Sequence, residues 1–186
     1  AILAHNLRPA IYEAGALIRQ IHKTKVAVSY KQDGSPVSEA DEAAEAVLLP
    51  ALAKYAPDIP VVSEESASSH FLAAGELFFL VDPIDGTKEF LKQDGTGSFT
   101  VNIGLIHHGA PVMGLVYAPA YDALYEGVVG KGAQKFETGI CHDIAVREVP
   151  ASGAVAVASA SHRDKATNQF LADHQIIATK SIGSSL

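Results

Sequence analysis

A single cysteine, Cys141, has no partner for an internal disulfide, which excludes disulfide-stapled secreted scaffolds and suits a reducing cytoplasm. Its place is that of a small buried or half-buried residue. The adjoining His142 has no second Cys or His pair at zinc-site spacing, so a structural zinc site is excluded. Basic residues are also scarce. Fourteen Lys and Arg against 21 Asp and Glu leave a net charge of −7, the wrong sign for non-specific binding of nucleic acid. No run reaches the roughly 18–20 apolar residues of a membrane span, and no basic-then-apolar signal segment opens the chain. Low-complexity tracts are missing too. What remains is an ordinary globular composition over 186 residues, 48% hydrophobic and 19% charged, enough for a substantial core without staples. These features point to a cytoplasmic protein. The absence of an initiator Met at Ala1 reads as trimming.

The stretch that organises the chain is Leu77-Phe78-Phe79-Leu80-Val81 followed by Asp82-Pro83-Ile84-Asp85-Gly86-Thr87. The unbroken apolar run predicts a strand covered on both faces. Pro83 lacks an N–H, so the strand is expected to end near Asp82. Lys88 to Lys92 has helix-forming character, which would turn the N–H groups near Gly86 and Thr87 outward as an anion site. Two carboxylates at the end of an apolar strand are costly to hold without a cation. Carboxylate, hydroxyl and carbonyl oxygens are hard ligands that suit Mg2+ or Mn2+ better than zinc. The plainer alternative is an Asp-Pro turn followed by an Asp-capped helix.

Around this stretch, Leu7, Ile11, Ala14, Leu17, Ile18 and Ile21 recur at helical spacing, predicting a packing helix from Asn6 to about Lys23, with His5 and His22 solvated. A turn-rich segment, Lys31 to Asp41, leads into a helix through about Tyr55 that Pro50 should kink or split. Ser38 and Asp41 have capping-box spacing, so Asp41 either caps this helix or faces a metal and polarises a water. Pro60 to Glu65 reads as a second short strand ending in acid. Two neighbouring strands built alike would bring Glu64, Asp82 and Asp85 to one point, against the reading of Glu64 as surface acid. Ser66 to Ala74 reads as a mobile loop. Ser98 to Ile106 alternates, turns at His107-His108-Gly109-Ala110 and returns as Val112 to Ala118, a β-hairpin continued by Leu124 to Val129 and Gln134 to Phe136. Ala154 to Ala158 predicts another fully buried strand whose partners follow residue 186, then polar residues and a helix capped by Asp164. Ser181 to Leu186 reads as the entry to a loop or helix.

Glu64-Glu65, Asp82-Pro83-Ile84-Asp85-Gly86-Thr87 and Ser35-Pro36-Val37-Ser38-Glu39-Ala40-Asp41 together resemble the inositol monophosphatase-like family of magnesium-dependent, lithium-sensitive phosphatases. Within it, Lys31 to Val37, Val62 to Glu65 and Ser159-Ala160-Ser161-His162-Arg163-Asp164 are most similar to the CysQ-type 3′(2′),5′-bisphosphate nucleotidases of sulfur assimilation. The resemblance implies an α/β (α+β layered) sugar-phosphatase sandwich, α-β-α-β-α, truncated at the C-terminus. It also implies an N-terminal α+β metal- and phosphate-binding portion, 1–150, and the beginning of an α/β portion, 151–186. Glu64, Asp82 and Asp85 with the Ile84 carbonyl would bind two or three Mg2+ ions, Mn2+ being the alternative. Asp41 and Thr87, with Glu64, would serve the attacking water, and Gly86 and Thr87 would offer N–H groups to the phosphate. Ser159, His162 and Ser184 would contact the nucleotide. A further aspartate in a Trp-Asp motif and a lysine after the Ser184 position, both used by the family, lie outside these residues, which contain no tryptophan.

The implied reaction is removal of the 3′-phosphate from adenosine 3′,5′-bisphosphate, and from its sulfated relative, by metal-activated water; inositol 1-phosphate is the alternative substrate. The implied partners are a phosphorylated nucleotide and, as an option, a second copy, with peripheral contact to the inner membrane. A haloacid-dehalogenase-like phosphatase is the competing enzyme, although its paired aspartates are separated by one residue and here two intervene. An inactive metal- and phosphate-binding fragment is the competing non-enzyme.

Overall fold

The structure, a computed structural model, describes residues 1–24, 28–30, 36–66, 68–69, 75–92, 99–158, 164–174 and 176–181. Helix α1 (Ile2–His22) and helix α2 (Glu39–Tyr55) pack on each other and lie across one face of a seven-stranded sheet. Strands β1 (Val28–Tyr30) and β2 (Pro36–Ser38) form a small antiparallel pair leading into α2. The large sheet runs in chain order: β3 (Val61–Ser63), β4 (Leu77–Asp85), β5 (Thr100–His107), β6 (Ala110–Ala118), β7 (Ala123–Val128), β8 (Gly132–Glu137) and β9 (Ile140–Ile144). Only β3 and β4 are parallel within it; every other neighbouring pair is antiparallel. Helix α3 (Thr87–Lys92) follows β4 directly. After an exposed stretch from residue 145 to 152, β10 (Val155–Ala158), α4 (Lys165–Asp173) and β11 (Ala178–Ser181) form a parallel βαβ unit with Asp164 capping α4.

The core is one layer deep between helices and sheet. Leu7, Ile11, Ile18, Leu48 and Leu52 from the helices meet Phe79, Val81, Val101, Ile103, Leu115, Tyr117 and Leu124 from the strands, all buried. Period-2 alternation then places Leu80, Asp82, Asn102, Gly104, Gly114 and Gly127 on the opposite face. Leu80 is 44% exposed there, so the expectation that this apolar run is covered on both faces is corrected: within this chain one face is packed and the other open.

Other expectations also change. Strand β4 does not stop at Asp82 but continues through a bulge to Asp85, which pairs with Thr100; the bulge absorbs the N–H missing at Pro83. Pro50 sits inside α2 without splitting it. His22 is packed rather than solvated, its ring 4.9 Å from Phe90 and 5.7 Å from Phe99. Cys141 is exposed on the edge strand β9. Strand β10 is half exposed rather than fully buried and already has a partner within residues 1–186, β11, which leads into the segment read as entry to a loop or helix. Ser66 and Ser69, assigned to a mobile loop, are tied down: the Ser69 hydroxyl donates to Ser66 O at 2.6 Å and accepts from Ser63 N at 3.0 Å.

Candidate metal centre

Parallel pairing of β3 with β4 sets Ser63 opposite Val81, so the next residues, Glu64 and Asp82, leave the two strands side by side. The Glu64 N–H donates to Val81 O at 3.0 Å, which extends the ladder one step and fixes the backbone at the acid. Ser63, facing the helices, donates its hydroxyl to Glu45 on α2, and the Ser66 hydroxyl reaches the other Glu45 oxygen at 3.5 Å. The strand end is thus tied to the helix layer immediately before it releases Glu64.

Asp82 is the electrostatic centre of the group. Burial, then the neighbouring charges of Glu64 and Asp85, push its carboxyl up to about 8 from an ordinary 3.8, with Asp41 adding to the effect. Its Oδ1 is buried and accepts no hydrogen bond. Four acids placed for their own sake would not be gathered so, because each raises the cost of ionising the next. A divalent cation reverses that cost, and an uncompensated buried oxygen among carboxylates is a hard ligand of the kind Mg2+ or Mn2+ takes. The residues therefore fit such an ion. Among the described residues no three acidic, His or Cys side chains converge tightly enough to mark an ion position by geometry alone.

Asp41 is fully buried at the start of α2, and both expected roles meet in it. Its Oδ2 accepts from the Ser38 N–H at 2.8 Å and the Ser38 hydroxyl at 2.6 Å, the capping box read from the sequence, while its charge reaches Asp82. Ser38→Ala should cost about 1 kcal/mol of stability and release Asp41 as well, so a urea melt and a metal titration should move together. If metal affinity stays constant while stability falls, Asp41 acts as a cap alone.

Beyond β4, Gly86 takes a φ of +89°, open to glycine without strain, and turns the chain into α3. The Thr87 hydroxyl donates to the Ile84 carbonyl at 3.0 Å. A cleft of about 370 Å³ opens here on the face away from α1 and α2, lined by Val62, Glu64, Leu80, Asp82, Asn102 and Gly104. Ser159, His162 and Ser184 lie outside the described residues. Asn102, which sequence reasoning passed over as one polar residue in an alternating strand, lines the same cleft.

The inositol monophosphatase family model matches residues 3–185. The chain belongs to the inositol monophosphatase family. Two curated proteins named 3′(2′),5′-bisphosphate nucleotidase CysQ, from Salmonella typhimurium and Escherichia coli K12, are each 44% identical to this family member over 93% of its length and 70% of theirs. Among solved structures, CysQ from Bacteroides thetaiotaomicron superposes with a TM-score of 0.74 at 30% identity, covering 97% of this chain and 72% of that one. SuhB of Mycobacterium tuberculosis gives 0.74 at 26% identity, covering 99% and 70%. Membership establishes the layered α/β fold and the metal-dependent phosphatase class, and removes the haloacid-dehalogenase-like alternative. No helix among the described residues is long and apolar enough to cross a membrane.

Proposed function

We propose that this chain is the metal- and phosphate-binding part of a cytoplasmic Mg2+-dependent phosphomonoesterase that removes the 3′-phosphate of adenosine 3′,5′-bisphosphate. The observation that carries the reading is that the charges of Glu64, Asp85 and Asp41 all act on the half-buried Asp82, whose Oδ1 is buried without a donor; the 44% identity to proteins named for that substrate supports the choice of nucleotide. Glu64, Asp82 and Asp85, with the Ile84 carbonyl, would hold two or three Mg2+ ions. When bound, these supply positive charge for the phosphate and make water more acidic.

The chain's own residues do the orienting. The Thr87 hydroxyl has its one proton committed to Ile84, so toward water it acts as acceptor and turns a water lone pair outward. Asp41, held by its cap, would accept the other proton of that water. The Gly86 and Thr87 N–H groups would meet the phosphate oxygens, where preorganised donors stabilise charge that develops in the transition state. No covalent nucleophile is required. We place the boundary of this metal-binding portion near residue 150, where the large sheet has ended and the βαβ unit has not begun.

The test measures phosphate release from adenosine 3′,5′-bisphosphate, 3′-phosphoadenylyl sulfate and inositol 1-phosphate, with Mg2+ and with EDTA. The nucleotides should exceed inositol 1-phosphate by at least about tenfold in kcat/KM, a difference of roughly 1.4 kcal/mol, and EDTA should abolish all release. Preference for inositol 1-phosphate overturns the substrate. Release from none of them, with metal bound, leaves a binding fragment.

A further inference from the structure

Asn102 sits directly across the antiparallel pair from Asp82, on the sheet face turned away from α1 and α2. Opposed residues on one face stand close enough to share a partner. Asparagine is disfavoured in strand interiors, and besides Thr100 on its own strand the neighbours of Asn102 on this face include the apolar Val116 across β6, with Leu80 and Gly104 beside it. The amide nitrogen is fixed, donating to the Thr100 hydroxyl at 3.1 Å, and Thr100 is fully buried. That bond turns the carbonyl end away from Thr100. Asn102 Oδ1 is buried and accepts no hydrogen bond, which is also true of Asp82 Oδ1, and both residues line the cleft that Glu64 enters.

Asp82 shares a side-chain hydrogen bond with Glu64, which occupies its proton and leaves Oδ1 an acceptor, and two acceptor oxygens cannot satisfy each other. Burying either without a donor costs free energy, and the bond to Thr100 uses only the amide nitrogen, so it does not account for the orphaned oxygen. What satisfies both at once is a hydrated cation: the carboxylate oxygen takes the metal, and the neutral amide oxygen takes a proton of a water in the metal's shell. Mg2+ suits this division because it retains several of its waters when bound by one or two carboxylates.

We propose that Asn102 is a positioning residue of the metal site, its Oδ1 accepting a hydrogen bond from a water of the ion held by Asp82. The proposal rests on the metal-site reading above. Oxygens in the outer shell of a metal site change affinity by about 10- to 100-fold when removed, so Asn102→Leu should weaken binding by at least about tenfold. Asn102→Asp keeps an oxygen at the position and should bind within about threefold of the parent or more tightly, the added charge favouring the cation.

The experiment titrates the full chain and its variants with Mn2+ alone, reading free Mn2+ by electron paramagnetic resonance, with folding checked by circular dichroism. Asp82→Asn accompanies them. Loss in Asp82→Asn and Asn102→Leu together with retention in Asn102→Asp supports the proposal. Loss in Asp82→Asn with parental affinity in Asn102→Leu overturns it and leaves the metal site standing. Parental affinity in Asp82→Asn overturns the site reading and this inference with it. Equal loss in Asn102→Leu and Asn102→Asp overturns the acceptor role in favour of an amide rotated to donate to Asp82. Should Asn102→Leu fail to fold, Asn102→Ala carries the same comparison.

Discussion

Asp82→Asn should lower affinity for Mn2+ or Mg2+ by at least about hundredfold, more than the loss typical of a group that only supports a ligand, while making the metal-free protein more stable at pH 8. Both effects have one cause. In the folded chain the Asp82 carboxyl holds its proton up to about pH 8, whereas the ordinary value of 3.8 applies once the chain unfolds. Between those values the folded state carries the extra proton, so stability falls as pH rises through the window. Asparagine removes the group that must ionise beside Glu64 and Asp85, and with it the slope. Thermal melts from pH 4 to 9 in EDTA should therefore descend for the parent and flatten for the variant, and saturating Mg2+ should flatten the parent too, because the ion favours the ionised form. If the variant instead loses stability in EDTA at pH 8 and binds metal as the parent does, the acids serve the turn and not a cation.

Gly15→Ala should cost about 2 kcal/mol, although alanine improves helix propensity by about 1 kcal/mol over glycine. A Cβ at Gly15 would lie 2.2 Å from Tyr117 Cε1 and 2.7 Å from Cδ1, inside any allowed contact. The ring cannot swing clear without loss, because it is fully buried and packs edge-on against Tyr12 at 5.0 Å. Its hydroxyl also accepts from Arg19 at 2.6 Å and donates to Asp122 at 2.8 Å. Burial pushes the Tyr117 hydroxyl up to about 12, so it stays a donor throughout the working range. For a chain of this size the cost corresponds to a fall in Tm of roughly 4–8 °C. A melt within a degree of the parent would show that the ring has room to move.

The acids at strand ends were legible because hydrophobic runs terminating in charge survive as a pattern whatever the rest of the chain does. Which face of a run is covered was not. Leu77 and Leu80 are apolar although exposed, so nothing in their identity separates them from Phe79 and Val81. Strand β9 escaped for the opposite reason: all of Ile140 to Ile144 is exposed, and its order comes from backbone bonds to β8, which carry no side-chain signature. Strand β11, Ala178–Ser181, likewise has almost no hydrophobic content to read. The packing of His22 needs Phe90 and Phe99, which only the tertiary fold brings to it. Asn102 acquires meaning only from the register that sets it against Asp82.

The tethers of α1 have a consequence for synthesis on the ribosome. Arg8 is bound at 2.6 Å to Glu126, 118 residues later, and its guanidinium lies 4.1 Å from the centre of the Phe136 ring. Arg19 waits 98 residues for Tyr117. At about 5–20 residues per second, the first helix spends on the order of ten seconds without the partners of its two arginines. During that interval α2 is the first large apolar surface to reach it, so the helix pair should form early and the N-terminus should be clamped only once β7 and β8 emerge. A nascent chain halted before residue 117 should expose the Arg19–Gln20 bond to limited trypsin digestion, and one released after residue 137 should protect it; Pro9 makes the bond after Arg8 resistant in either state.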